Sequence, residues 1–160
     1  MKPLYRGIAV AAIHCLLVLS VAGKYALDRE RLPRAWTKTR NFDPNLPIRG
    51  RYVRLSVDVD GPEQAGNTGW THARLSVRGG RLVAESTASD TGVAITRSGG
   101  GPWRIVEPVA FFIPEHVPDP SRTAPDEELW VELSVPRHGG PRPVRLGIRK
   151  NGTLRPLDLR

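Results

Sequence analysis

The side chains that most often perform nucleophilic catalysis are scarce in this chain of 160 residues. A serine peptidase attached to a membrane helix would need a serine activated by a lysine of lowered pKa. There are four lysines, at positions 2, 24, 38 and 150. The first three lie in or near the N-terminal apolar segment and the linker after it, both described below, and the fourth flanks an exposed turn. The sequence therefore predicts no serine–lysine pair on the body of the chain.

Metal ligation is also not indicated by the spacing of the ligand-type residues. The four histidines form no His-x-His or His-x-x-x-His pair, and the one cysteine, Cys15, allows neither an intrachain disulfide nor a cysteine cluster. The run Asp58–Gly61 resembles the start of a calcium loop, but the later acidic ligands are missing. We expect no metal and no cofactor.

Glu107 and Glu115 are the best candidates for a pair of catalytic carboxylates of the kind that cleaves glycans. Eight residues of fully extended strand would separate them by about 26 Å, which is too far unless the chain bends at Pro108. A membrane-tethered hydrolase with a carboxylate-based site is therefore the alternative hypothesis. The prediction that we favour is a non-enzymatic protein.

An apolar segment near the N-terminus, Gly7–Gly23, predicts a membrane helix. Its seventeen residues would span about 25 Å as a helix, at the short end of what crosses a hydrocarbon core. We assign residues 1–27 to a signal-anchor. The alternative is a signal peptide cleaved after Ser20–Ala22, which has a small-x-small pattern.

The net charge of +8 is concentrated beside this segment. Residues 24–50 carry seven basic and three acidic side chains, whereas residues 51–160 carry 15 basic and 13 acidic. A basic juxtamembrane stretch is attracted to anionic lipid, at about 1 kcal/mol per charge. A nucleic-acid-binding domain would need its basic face on the body. We therefore predict membrane lipid as a partner and no nucleic acid.

The side of the membrane is indicated by two conflicting patterns. Six Lys/Arg in residues 24–43, against Lys2 and Arg6 before the segment, favour a cytoplasmic body by the positive-inside rule. The signal-like form of residues 1–23 favours translocation of the body across the membrane. We predict a single-pass protein of the cytoplasmic membrane whose body is extracytoplasmic, in the periplasm.

The body is predicted to be β-rich. Residues 28–49 are polar and punctuated by proline, so we assign them to a linker, and residues 50–160 to the domain. Apolar residues alternate with polar ones from Val53 to Val59 and again in later segments. Turns at Gly79–Gly80 and Asn151–Gly152 predict two hairpins, with Leu75 opposite Ala84 in the first and Leu146 opposite Leu157 in the second. About seven strands without long helices indicate a small antiparallel β-barrel or β-sandwich.

The first strand reads Gly50-Arg51-Tyr52-Val53-Arg54-Leu55-Ser56-Val57. It resembles the bacterial membrane-anchored family named for its GDYxxLxY motif, with matches at Gly50, Tyr52 and Leu55. Phe112–Glu115 is similar to an aromatic-aliphatic-Pro-Glu segment of that family. Arg51 stands where the motif has Asp, and Val57 replaces its final Tyr. The resemblance implies a β-rich body behind a membrane segment and an envelope role beside a multi-span membrane protein.

These observations predict a binding surface rather than an active site. We expect an accessory module that binds a partner membrane protein or an anionic envelope polymer. Long loops on a rigid β-scaffold are the usual place for such binding. The predicted interaction surface consists of Gly50, Arg51, Tyr52, Arg54, Leu55, Glu107, Pro114 and Glu115.

Overall fold

The computed structural model describes residues 3–41, 52–62, 69–87 and 92–159. The chain divides into two units, Met1–Leu32 and Pro33–Arg160. Unit 1 is the helix α1 (Pro3–Arg31), and its segment Tyr5–Asp28 is long and apolar enough to cross a membrane, with a mean hydropathy of 1.9. The helix ends two residues before Pro33, since proline cannot supply the backbone N–H that a further turn requires.

Unit 2 consists of ten strands, and the predicted fold class, an apolar N-terminal helix followed by an antiparallel β-domain, is confirmed. The sequence predicts about seven strands, fewer than the ten observed, because its patterns do not indicate β1 and do not separate all of the later strands. The strands are β1 (Arg34–Asn41), β2 (Tyr52–Val59), β3 (Gly69–Arg78), β4 (Arg81–Ser86), β5 (Val93–Arg97), β6 (Trp103–Ile105), β7 (Val109–Phe112), β8 (Glu127–Ser134), β9 (Arg142–Lys150) and β10 (Thr153–Pro156).

The assignment of residues 28–49 to a linker is wrong for most of its described part. The first four of these residues continue α1, and Arg34–Asn41 forms β1, which pairs with β2 on one side and β8 on the other. Prolines flank this strand in the sequence but none lies within it, so every residue of β1 can donate a ladder hydrogen bond. Residues 42–49 lie outside the described residues.

The strands form one curled sheet in the order β10-β9-β8-β1-β2-β6-β5-β3-β4, a half-barrel in which β7 also pairs with β2. The curl brings the last strand, β4, back to the end of β2. There the Asp60 N–H donates to the Leu82 carbonyl (3.0 Å), and the Ala84 N–H donates to the Asp60 carbonyl (2.7 Å). These two bonds place the start of β4 close to β1 and β2, where the candidate site lies.

Both predicted hairpin registers are confirmed. Leu75 lies opposite Ala84, and the Leu157 N–H donates to the Leu146 carbonyl (2.8 Å). Asn151 and Gly152 have φ values of 50° and 80°, the left-handed pair that a two-residue hairpin turn requires. Local turn chemistry therefore fixes these registers.

The core lies on the concave side of the sheet and is filled by the apolar members of the alternating strands. Leu55, Val57, Ile95, Val131 and Leu146 are fully buried there. Their polar neighbours along each strand occupy the opposite, convex face, as the period of two requires. That convex face carries the side chains considered below.

Candidate functional site

The predicted interaction surface is brought together in part, on β2 and its neighbour β7. Tyr52 lies opposite Phe112, and their ring centroids are 5.9 Å apart. Arg54 lies opposite Ala110 on the same face. Phe112 is 72% exposed, so the aromatic pair is open to solvent. Gly50 and Arg51 lie outside the described residues.

Leu55 does not belong to a surface, and its inclusion in the predicted one is wrong. Its side chain is fully buried in the core. The strand alternation already places Leu55 on the same face as Val53 and Val57, both of which are buried. Leu55 therefore anchors β2 from the inside.

Glu107 lines a groove of about 700 Å³ together with His72 and Arg142, beside β7. Glu115 is exposed and Pro114 half-buried, and neither lines this groove. The chain does bend between β6 and β7, around Pro108, as the carboxylate-pair hypothesis requires. However, only one of the two glutamates reaches the groove.

A second group of side chains, which the sequence patterns did not predict, lies on the convex face of β1, β8 and β9. Trp36 of β1 is opposite Glu132 of β8, and Lys38 is opposite Trp130. On the other side of β8, Glu132 is opposite Arg145. Directly opposite residues of an antiparallel pair share a face and lie about 5 Å apart. The register therefore assembles an array of indoles and charges.

Between this array and the start of β4 lies a cleft of about 360 Å³, which we call the tryptophan cleft. It exists because the curl of the sheet brings Arg81 and Asp60 toward β1. Its principal lining residues are Trp36, Lys38, Asp60, Arg81, Trp130 and Arg149.

Glu128 fixes one wall of the cleft by holding two of these side chains. Its Oε1 accepts a hydrogen bond from Lys38 Nζ, and its Oε2 accepts one from Trp130 Nε1 at 3.1 Å. Both hydrogen bonds lower the pKa of Glu128 from its ordinary value, and the bond from Lys38 has the larger effect. The carboxylate stays ionised at neutral pH and holds the indole of Trp130 in place.

The two indoles each have an arginine over the ring. The guanidinium carbon of Arg149 lies 4.8 Å from the Trp130 ring centroid, and that of Arg145 lies 5.8 Å from Trp36. Both distances suit cation–π attraction. Arg145 also donates from Nε to Oε2 of Glu132 at 2.6 Å, and this bond raises the pKa of Arg145.

The acidic groups around the cleft are paired with cations. Asp60 forms two contacts with Arg81, at 2.8 and 3.0 Å. Asp58 accepts from Arg104 Nε at 3.2 Å. Arg149 differs, because no carboxylate of the described residues lies within ion-pair distance of it. Among the described residues, Arg149 is the cation lining the cleft that forms no close ion pair, and its charge is attracted to that of Glu128, which lies opposite it in the sheet.

A signal for this site is present in the sequence. The segment Arg34–Asn41 alternates large or charged residues with the small residues at positions 35, 37 and 39, the period-two pattern of a half-buried strand. Its small residues, one alanine and two threonines, are all buried. The proline-rich flanks obscured this pattern, because they suggested an irregular linker.

The described residues contain no group of three or more His, Cys, Asp or Glu side chains that could hold a metal ion. No family model matches the chain, and neither a curated protein nor a solved structure matches it. The side chains of the cleft are therefore the basis on which a function is argued.

Proposed function

We propose that the chain is a membrane-tethered, non-enzymatic binding module of the bacterial envelope, and that its β-domain binds an anionic envelope polymer. The observation that carries this proposal is the tryptophan cleft, where the guanidinium carbon of Arg149 lies 4.8 Å from the Trp130 ring centroid and the residue forms no close ion pair with a carboxylate of the described residues. A guanidinium presents its donors in a planar fork that suits carboxylate and phosphate oxygens. Rigid aromatic walls beside such a donor are typical of binding sites.

The N-terminal apolar helix supports a location at the membrane. The apolar helix is long enough for one membrane crossing, and the basic residues after it suit the headgroup region of anionic lipid. We place the β-domain in the periplasm, since a signal-like N-terminal segment directs the chain behind it across the membrane. A polymer of the envelope is then within reach of the cleft.

A partner membrane protein is the second proposal, supported by the surface of β2 and β7. Each of the two segments that resemble the GDYxxLxY family, Gly50–Val57 and Phe112–Glu115, contributes one residue to a facing pair in the sheet, since Tyr52 lies opposite Phe112. We propose membership of that family on these residues. An exposed aromatic pair at a sheet edge suits contact with another protein.

Retention on an acidic matrix tests the polymer proposal. The full chain, in a polyoxyethylene detergent that carries no sugar, is passed over polygalacturonate beads and over neutral dextran beads. We expect retention on the acidic beads alone. The control is Arg29→Gln/Arg31→Gln, which removes basic charge near the membrane and should still be retained. Loss of retention in this control would show that unspecific charge attraction, not the β-domain, holds the polymer.

The side of the membrane is tested separately. Alkaline phosphatase fused after Arg160 is active only when it is exported. We expect activity in cells that carry this fusion. An inactive fusion, present at normal level, would refute the periplasmic placement.

A further inference from the structure

We infer that the tryptophan cleft binds one acidic sugar unit of such a polymer, with the sugar ring packed on Trp36 and its acidic group bound by Arg149. This inference rests on the proposed function and names the residues and the ligand class that carry it. The acidic group is a carboxylate or a phosphate ester, since both present oxygens that a guanidinium can bind through two donors.

The position of Trp36 supports the aromatic half of this site. Its indole lies over Gly147 of β9, so closely that a Cβ on Gly147 would be 3.0 Å from the ring. The glycine leaves room for the flat ring to lie across the sheet. Arg145 is above the ring at 5.8 Å, which helps to hold it there. Trp36 also lines the cleft, and the part of the indole that faces the cleft is an apolar surface beside charged groups, which suits the C–H face of a sugar ring.

Arg149 supplies the charged half. Its guanidinium carbon lies 4.8 Å from the centroid of the Trp130 ring, at a distance that suits cation–π attraction, and the residue lines the cleft. Trp130 is itself fixed by its hydrogen bond to Glu128 (3.1 Å). The donor is therefore positioned before the ligand arrives, which lowers the entropy cost of binding.

The other charges of the cleft favour an anion without repelling it. Lys38 is bound to Glu128, and Arg81 to Asp60. Because the acids are neutralised, an incoming carboxylate meets little repulsion. Asp60 and Arg81 are also able to exchange hydrogen bonds with sugar hydroxyls at the opposite wall, since both line the cleft and are about half or more exposed.

Size and shape favour a sugar over an acidic peptide. The cleft, at about 360 Å³, is near the lower end of the range of about 300–1,000 Å³ for small-molecule sites. A glutamate side chain would engage Arg149 but would leave the Trp36 face largely unused. Dependence of binding on both residues therefore separates the two kinds of ligand.

The test is calorimetric titration of the full chain, in the same sugar-free detergent, with trigalacturonate. Maltotriose is the neutral control, a glucose phosphate ester tests the phosphate alternative, and a glutamate-rich peptide tests the protein alternative. We expect binding of trigalacturonate or of the phosphate ester, and at least tenfold weaker binding of maltotriose and of the peptide. Equal binding of the peptide, or no binding of either acidic sugar, would overturn the inference.

Two variants and one matched control assign the binding to the cleft. Arg149→Met keeps the aliphatic stem and removes the donors, so binding should weaken about 10- to 100-fold, as for the loss of charged hydrogen bonds. Trp36→Phe keeps a smaller ring and should weaken binding several-fold. Arg155→Met removes an exposed arginine of β10 whose strand partner is Ile148, on the other face of the sheet, and should change binding less than twofold. An unchanged affinity in Arg149→Met would overturn the inference.

The two proposals fail in distinguishable ways. If Arg149→Met is still retained on polygalacturonate beads like the parent chain, the polymer binds elsewhere and the cleft inference is wrong, while the proposed function stands. If trigalacturonate binds through Arg149 but the phosphatase fusion is inactive, the envelope role is wrong, while the chemistry of the cleft stands.

Discussion

Replacement of Arg145 by Met should destabilise the β-domain measurably, because it leaves the buried carboxylate of Glu132 without its ion-pair partner. The side chain of Glu132 is only 7% exposed, and Arg145 Nε donates to its Oε2 at 2.6 Å. Removing one partner of a fully buried ion pair costs about 3–5 kcal/mol. Arg145 is itself 50% exposed, so solvent can replace part of the lost interaction. We therefore expect a loss of about 2 kcal/mol in the free energy of unfolding.

Urea unfolding followed by tryptophan fluorescence measures this loss in the intact chain. All four tryptophans lie in the β-domain and none in α1, so the signal reports on unit 2 alone. With a urea dependence of about 2 kcal/mol per molar, the midpoint should fall by about 1 M. Methionine retains most of the aliphatic stem, which limits the loss of packing on Trp36.

The matched control is Arg78→Met. Arg78 contacts Glu85 at the same 2.6 Å, but the two side chains are 70% and 40% exposed. An exposed pair contributes about 0–1 kcal/mol, so the midpoint should move by less than about 0.5 M. Equal midpoint shifts for the two variants would refute the reasoning, since burial of Glu132 is its main ground for a difference and the cation–π contact of Arg145 with Trp36 acts in the same direction.

Further predictions concern a close packing contact and the acid stability of the cleft wall. Gly61→Ala would place a Cβ into the indole of Trp103, so we expect overpacking to lower the free energy of unfolding by about 1–3 kcal/mol. Gly140→Ala is the control, because open space surrounds that position and the stability should change little. Urea unfolding midpoints measure both effects. Because the pKa of Glu128 is lowered in the folded protein, its ion pair with Lys38 stabilises the fold above the ordinary value of 4.5 and this contribution is lost as pH falls below it. Glu128→Gln should therefore flatten the decline in urea midpoint between about pH 5 and pH 3, and an unchanged decline would contradict the assignment.

The parts of the fold that depend on local chemistry could be predicted from the sequence. The hairpin turns at Gly79–Gly80 and Asn151–Gly152 specify both turn type and register. The apolar helix is indicated by composition alone.

The parts that depend on long-range pairing could not be predicted. β1 lies between β2 and β8, and its partners in β8 are about a hundred residues away in the chain. No local pattern specifies such a neighbour. The cleft needs that pairing, and it also needs the curl that brings Arg81 to β1. The predicted surface on β2 was found because its residues are adjacent in sequence, whereas the cleft is assembled from several distant strands.

The burial of Glu132 is another feature that depends on long-range pairing and could not be predicted from the sequence. Alternation correctly places Glu132 on the polar face of β8, yet its side chain is buried. It is buried because the register of three strands brings Trp36 and Arg145 over it. Exposure on the convex face is thus decided by neighbours that a single strand does not show.

The most direct test of the central claim is the affinity of the full chain for trigalacturonate and for a sugar phosphate, measured with and without Arg149. If the tryptophan cleft is the site, an acidic sugar binds, and its binding is weakened at least tenfold in Arg149→Met and less than twofold in Arg155→Met. Equal affinities in the parent chain and Arg149→Met would contradict it.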